Sequence, residues 1–333
     1  MDPAYQLKQA RGALRVSQLA ARFMEEHVEA KRKGSTAALY RHVLDAYILP
    51  ALGQRKVEEV TRADVDKLHH SLKDRPFLAN RTLAVVGSLY SWAAKQRLAS
   101  EGFNPAARIE KFREDRRERF LTPEELERLG GAIRLAETEG IAWMPDPAKK
   151  AKHAPSAEHR RVIIGPFAAA AIRLLLFTGG RLREILNLRW SEVDLGRGLL
   201  FLPDSKTGRK TIVLSGPALA VLQNLPRAGD FVIAGRTPTA PRTDLKRPWA
   251  LVSKHAGLEG LRIHDLRHSF ASFGAGGGLG LPIIGKLLGH TQASTTQRYA
   301  HLDADPLRRA SDAIAQTIAA AMGEGGLPGD DGT

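Results

Sequence analysis

From Val16 to about Phe112, apolar residues recur three and four positions apart, the spacing that gathers side chains on one face of a helix. Leu19, Phe23 and Val28 make one such face, and Leu39, Val43, Leu44 and Tyr47 make the next, with Pro50 expected to close that second helix. Val57–Val60 reads as a short link. Thr61 reads as the N-cap of a third helix carrying Val65 and Leu68, and Asn80 as the opening of a fourth carrying Leu83, Val86, Leu89, Tyr90 and Ala93. The pattern predicts a compact helical bundle.

Between Arg108 and Phe120 acidic and basic residues alternate without a sustained apolar face, as in an exposed connector, and the linker proper is placed at 113–120. A strong helix start follows. Thr122 is an N-cap, Pro123 occupies the first turn, Glu125 completes a capping box, and Leu121 and Leu126 are spaced as a hydrophobic staple. Trp143–Arg161 has no clean period and reads as an exposed basic loop. Phe167–Phe177 is apolar nearly all round and should be a buried helix, broken by Thr178, Gly179 and Gly180 before helical spacing resumes over Leu182–Leu188. Leu199–Leu202 and Thr211–Leu214 flank a turn segment, as a β-hairpin requires. The remainder to Met322 reads as helical with glycine-rich breaks. Gly274, Gly276, Gly277, Gly278 and Gly280 should weaken the helix they crowd, since Gly costs up to about 1 kcal/mol against Ala. The expected organisation is a tail over 1–15, a helical domain over 16–112, the linker, a mixed domain over 121–322, and a disordered glycine-rich acidic tail over 323–333. The fold class is mainly α with a small β-sheet.

Composition narrows the partner. Fifty Lys and Arg against 36 Asp and Glu leave a formal charge of +14 in 333 residues, which favours a polyanion, because each cation set on a phosphate releases condensed counterions. A merely basic solvated surface is the alternative. With no cysteine, a disulfide scaffold, a cysteine-ligated metal centre and a cysteine nucleophile are excluded. No apolar run approaches the roughly 18 residues of a membrane span, so a soluble cytoplasmic protein is expected.

Five segments set polar residues beside apolar helices: Thr178–Glu184, Ser205–Thr207, His264–His268, Leu288–His290, and Tyr299. Each has an ordinary structural explanation. Arg181 can be a capping residue, Lys206 a solvated turn residue, His290 a helix-end cap and Tyr299 a core tyrosine. Taken together they supply what phosphoryl transfer needs: a nucleophile, a proton donor for the leaving oxygen, and cations around the equatorial oxygens, with two arginines offering bidentate forks.

This set resembles the active-site boxes of the tyrosine recombinase, or phage integrase, family. The matching features are Arg181 and Glu184 in a Thr-Gly-x-Arg-x-x-Glu turn, Lys206 on the hairpin, His264 and Arg267 in His-x-x-Arg, and a Leu-Gly-His ending at His290, nine residues before Tyr299. The likeness covers most of Leu121–Met322, and Val16–Phe112 is similar to the family's core-binding domain. It implies a site-specific recombinase in which Tyr299 attacks a DNA phosphodiester, leaving a 3′-phosphotyrosyl link and a 5′-hydroxyl. By the same resemblance His264 is the base or hydrogen-bond partner of the phenol. Arg181, Arg267 and His290 hold the non-bridging oxygens, Lys206 protonates the leaving oxygen, and Glu184 orients its neighbours.

The family further implies no ATP, metal or other cofactor, and a homotetramer on double-stranded attachment-type DNA whose domains grip opposite faces of the duplex. Accessory DNA-bending or directionality proteins and a nucleoid location are also implied. The run Leu188–Asp194 is similar to phage and genomic-island integrases, which points to prophage or island mobility. About fifteen residues precede the first helix, implying that arm-type sites are not used or that the chain is a shortened form. The helix from Pro306 to Met322, with Leu307, Ile314 and Ile318 on one face, is expected either to dock on a neighbouring protomer or to pack in its own core.

The same residues admit other readings. A type IB topoisomerase-like relaxing enzyme shares the chemistry, and a non-catalytic DNA-binding regulator shares the charge. His264 and His268 could share a helix face for zinc, but Asp265 stands where a His-Glu-x-x-His site needs Glu, so His268 is expected to pack locally. Gly280–Leu287 approximates a phosphate-binding loop, with Leu287 where Ser or Thr must meet magnesium.

Overall fold

A computed structural model of the chain describes residues 14–114, 118–143, 156, 160–205, 208–237, 239–302 and 306–322. Lys206, most of the basic loop, the linker's centre, and the tails before residue 14 and after residue 322 lie outside the described residues. The chain divides into two units, Met1–Arg117 and Glu118–Thr333.

The first unit contains α1 (Val16–Phe23), α2 (Gly34–Val43), α3 (Leu49–Leu52), α4 (Arg62–Ser71) and α5 (Pro76–Lys95). Wider i→i+5 turns carry α1 onward through Met24–Glu29 and join α2 to α3 through Leu44–Ile48. These turns explain an odd spacing in the sequence. Phe23 and Val28, like Val43 and Ile48, are five apart, yet all four are fully buried, because each wide turn brings residue i+5 back to the core face. Ile48 therefore takes the inward place expected of Tyr47, which is only half-buried, and Leu39 is exposed. Pro50 does not close the helix. It sits in the first turn of α3, where a missing N–H costs little.

Thr61 caps α4 as expected, with Asp64 completing a reciprocal capping box. Asn80, however, does not open α5, which begins at Pro76. Its buried side-chain amide accepts from the Phe112 N–H at 3.0 Å and donates to the Phe112 carbonyl at 2.8 Å, tying the chain after the bundle to its flank. His69 meets the same amide at 3.0 Å and stacks on the Phe112 ring.

The second unit opens with α6 (Pro123–Thr138), capped by Thr122 and Glu125. Arg119 donates two hydrogen bonds to Glu125 and holds its carboxyl down to about 2. Two short strands, β1 (Ile141–Ala142) and β2 (Arg161–Val162), pair antiparallel at the ends of the basic loop, a pairing the sequence pattern did not predict. Next come α7 (Pro166–Thr178), α8 (Leu182–Leu186) and the antiparallel sheet β3 (Val193–Asp194), β4 (Leu199–Ser205) and β5 (Gly208–Val213). The helices α9 (Gly216–Gln223), α10 (Lys246–His255), α11 (Asp265–Gly276), α12 (Leu281–Leu288) and α13 (Pro306–Ala321) complete the unit.

Helix α7 is the centre of the main core. Ala168, Ala171, Ile172 and Leu174 are fully buried, and the small alanines let neighbouring elements approach closely. A separate, smaller cluster joins Ala271, Ala275, Ile284 and Leu288 to the ring of Tyr299. Among the described residues no helix is long and apolar enough to cross a membrane.

Candidate active site

The site assembles on two glycine turns. At the end of α7, Thr178 bonds back to the Leu174 carbonyl and accepts from the Gly180 N–H, and Gly179 turns left-handed at φ +61°. A Cβ on Gly179 would stand 2.6 Å from the Phe270 ring and 2.8 Å from Leu288. At the end of α12, Gly289 turns at φ +69°, and a Cβ there would stand 2.8 Å from Cε of Lys210. The backbone angle calls for glycine at both positions, and at Gly179 the packed Phe270 ring and Leu288 leave no room for a Cβ either.

One guanidinium joins these turns. Arg267 on α11 is 5% exposed; it donates to the Gly179 carbonyl at 2.6 Å and to the Leu288 carbonyl at 2.8 Å. Burial, then the neighbouring Arg181 charge, lowers its pKa to about 10, so it stays cationic at neutral pH. Arginine has five N–H donors, and the two turns use only part of that capacity.

Arg181 stands at the N-cap of α8. Its N–H donates to Glu184 at 2.9 Å and its guanidinium donates to the same carboxylate at 2.7 Å. The other partner of Glu184 is Lys210, whose ammonium donates at 3.2 Å, with both side chains only 5% exposed. Burial alone would raise the Glu184 carboxyl, but the Arg181 N–H, the Lys210 charge and the Arg181 guanidinium together hold it below its ordinary value. The Lys210 ammonium is lowered by burial, against Glu184, with both arginines adding to the fall. The carboxylate is thus ionised and fixes two cations side by side.

His290, after the second turn, meets the Thr296 hydroxyl through Nδ1 at 2.8 Å. Burial and then Arg267, Arg181, Lys210 and Arg298 push its pKa down to about 4. At neutral pH it is an uncharged ring, with Nε2 not engaged by Thr296. Thr296 comes this close because α12 carries Gly285, where a Cβ would stand 2.8 Å from the threonine hydroxyl.

Tyr299 lies in the short 3₁₀ helix Gln297–Leu302, 5% exposed, its ring in the smaller apolar cluster. Burial raises the phenol above its ordinary pKa, opposed by Arg298 and Arg267. Its hydroxyl is hydrogen-bonded to Nδ1 of His268 at 2.6 Å. His264, exposed at the N-cap of α11, meets His268 edge-on with ring centres 5.3 Å apart. His268 is lowered to about 4, first by burial and then by His264 and Arg298.

Of the residues singled out from the sequence, Arg181, Glu184, Arg267, His290 and Tyr299 converge here, His264 stands at the rim, and Lys206 is outside the described residues. Two members were missed. Lys210 was legible: on β5 it alternates with Ile212, so a period-two pattern turns it inward, opposite Leu202. His268 lies one helical turn after His264 and so on the same face, and from spacing alone that placement fits local packing as well as chemistry. Among the described residues no group of three His, Asp or Glu could hold a metal ion.

Comparison with known proteins gives the family and the fold. The profile of the phage integrase family matches residues 156–305 and that of the phage integrase central domain matches residues 16–111. The tyrosine recombinase XerC of Xanthomonas campestris is 29% identical over 255 residues, covering 68% of this chain and 79% of that protein. The tyrosine recombinase XerA of Pyrococcus furiosus is 31% identical over 147 residues, 42% of this chain, and the match spans about half (51%) of the relative. In fold, the chain is similar to a lambda integrase tetramer bound to a Holliday junction, with a TM-score of 0.62 at 16% identity over 88% of this chain and 82% of that one.

Proposed function

Because the chain belongs to the phage integrase family of tyrosine recombinases, we propose that it is a site-specific DNA recombinase, cutting and rejoining duplex DNA through a 3′-phosphotyrosyl intermediate. The observation that carries this reading is the gathering of a tyrosine hydroxyl, two guanidiniums and neutral imidazoles from separate segments around two glycine turns.

In the cleavage step the Tyr299 oxygen bonds to phosphorus as the bond from phosphorus to the 5′-oxygen breaks. Arg181 and Arg267 neutralise the non-bridging oxygens, where charge grows in the transition state, and the free Nε2 of His290 donates a third hydrogen bond. A neutral histidine suits that place, since a third full cation beside two arginines would itself be costly. Lys206 gives its proton to the departing 5′-oxygen, because an alkoxide is a poor leaving group. His264, expected from the resemblance to be the phenol's base or hydrogen-bond partner, stands exposed at the rim while the phenol meets His268, so His264 is assigned to the phosphate instead. Glu184 and Lys210 hold Arg181 in place. The tyrosyl ester conserves the energy of the phosphodiester, so a 5′-hydroxyl from another strand reverses the step, and no nucleotide cofactor enters the balance.

Exchange between two duplexes requires four cuts, which is the reason to propose a homotetramer on DNA, working in the cytoplasm on attachment-type sites of a prophage or genomic island. Accessory bending or directionality proteins belong to the same proposal. The exposed Ile314 and Ile318 of α13 offer an apolar face for a neighbouring protomer.

The test is the polarity of the adduct. Protein incubated with DNA fragments of its source replicon and trapped with denaturant is expected to carry DNA by its 3′ end, leaving a 5′-hydroxyl that polynucleotide kinase labels directly. A 5′-linked adduct would contradict the reading, as would relaxation of supercoiled plasmid by a monomer without site preference.

A further inference from the structure

The proposed cleavage needs the phenol's proton to go somewhere, and the hydroxyl meets a group that neither the sequence motif nor the assignment above uses. We propose that His268 is a catalytic residue: its Nδ1 seats the Tyr299 hydroxyl before DNA is engaged and takes the phenol's proton as the oxygen bonds to phosphorus. This deepens the recombinase reading and rests on it.

Three observations carry the inference. The hydroxyl and Nδ1 are 2.6 Å apart, the short end of the range for a hydrogen bond between an oxygen donor and a ring nitrogen. Both partners are withdrawn from water, Tyr299 almost fully and His268 in part, so solvent competes weakly for the proton. And each is held by its own element: His268 by α11, the helix that also carries Arg267, and Tyr299 by its ring in the Ala271, Ala275, Ile284 and Leu288 cluster.

The groups facing the His268 ring settle its resting charge. Burial is the largest influence; His264, Arg298 from the segment of the nucleophile, and Arg267 one residue before the ring add to it against Asp265, and the ring rests neutral. A neutral ring with its proton on Nε2 presents a bare Nδ1 as acceptor, and the phenol donates to it. A buried phenol does not ionise ahead of attack, since burial raises its pKa. The proton therefore moves with bond formation, when the oxygen, sharing its electron pair with phosphorus, becomes strongly acidic. In the balance, one P–O bond forms at Tyr299 and one breaks at the 5′-oxygen. One proton passes from the phenol to His268 and another from Lys206 to the leaving oxygen, and rejoining returns both. The dianionic character of the transferring phosphoryl group nearby offsets the cations and favours the imidazolium at that moment.

The experiment has two arms. In the DNA-free protein, nitrogen NMR of His268 should show the Nε2–H tautomer with an Nδ1 resonance that moves on Tyr299→Phe; an unmoved resonance, or an Nδ1–H tautomer, overturns the hydrogen bond proposed. With a nicked duplex carrying the segment recovered from trapped adducts, His268→Ala should slow adduct formation about a hundredfold or more while duplex affinity stays within about threefold. His268→Asn retains an acceptor where Nδ1 stands but no basicity, and should remain at least about tenfold below wild type. A 5′-bridging phosphorothiolate, whose thiolate leaves without a proton, should not rescue either variant, since the missing proton transfer is at the nucleophile. Wild-type rates in His268→Ala, full activity in His268→Asn, or rescue by the phosphorothiolate each overturn the proposal while leaving the recombinase reading standing. A wild-type protein that forms no adduct sinks both.

Discussion

Lys210 and His268 show how far single residues can be read from a sequence. Lysine is the residue least expected inside a core, and a motif search passes over it in favour of Lys206. Strand alternation alone turns Lys210 inward, and the ion pair with Glu184 explains why it is tolerated there. Replacing it with Met should leave Glu184 underneutralised and cost about 3 kcal/mol in denaturant unfolding, the range seen when one partner of a buried pair is removed. A loss under about 1 kcal/mol would mean the pair is not buried in solution.

His268 and His290 make a pH prediction at the same scale. Both have folded pKa values near 4, below the ordinary histidine value of 6.5, so the unfolded chain binds protons there that the folded chain refuses. Stability is full above about pH 6.5 and falls as pH drops from 6.5 towards 4, before Glu125, held at about 2, begins its own loss below its ordinary value of 4.5. Thermal melts should show the decline over that upper window, and a His268→Asn, His290→Asn variant should flatten it. An unchanged slope would show that these rings are not neutralised by their surroundings.

At the scale of elements, helix starts were legible wherever a side chain does the capping, as with Thr61 and Thr122, because that chemistry is local. Asn80 was misjudged because its amide serves a partner more than thirty residues away, and no local pattern reveals that. The wide turns after Phe23 and Val43 were hidden in the same way: spacing of five looks like a lapse of helical period until the core closes over it. Glycines at the ends of α7 and α12 carry the strictest demand. Gly179→Ala should cost about 2–5 kcal/mol, combining left-handed strain with overpacking against Phe270 and Leu288, and should weaken the site through the Arg267 bridge. Unfolding in denaturant measures it; a cost under about 1 kcal/mol would show that the turn relaxes freely.

At the scale of the whole molecule, the mainly helical class with a small sheet and the membership of the family were readable from pattern and motif. What assembly adds was not readable. Ile314 and Ile318 face solvent on α13, while the Leu307 side chain lies outside the described residues. Removing residues 306–333 should therefore impair pairing of DNA-bound complexes, seen by native gel or mass photometry, while duplex affinity changes less than about threefold, since the phosphate-binding cations remain. Normal pairing by the shortened chain would assign α13 to its own protomer instead.

The central claim is that the hydroxyl of Tyr299 becomes covalently joined to DNA. Tyr299→Phe removes that one oxygen and preserves the ring's place among Ala271, Ala275, Ile284 and Leu288. Denaturing gels of wild type and variant on the same labelled duplex, paired with a binding isotherm for each, should show the adduct vanish while affinity holds within about threefold. A covalent complex persisting in Tyr299→Phe would place the nucleophile elsewhere and contradict the account.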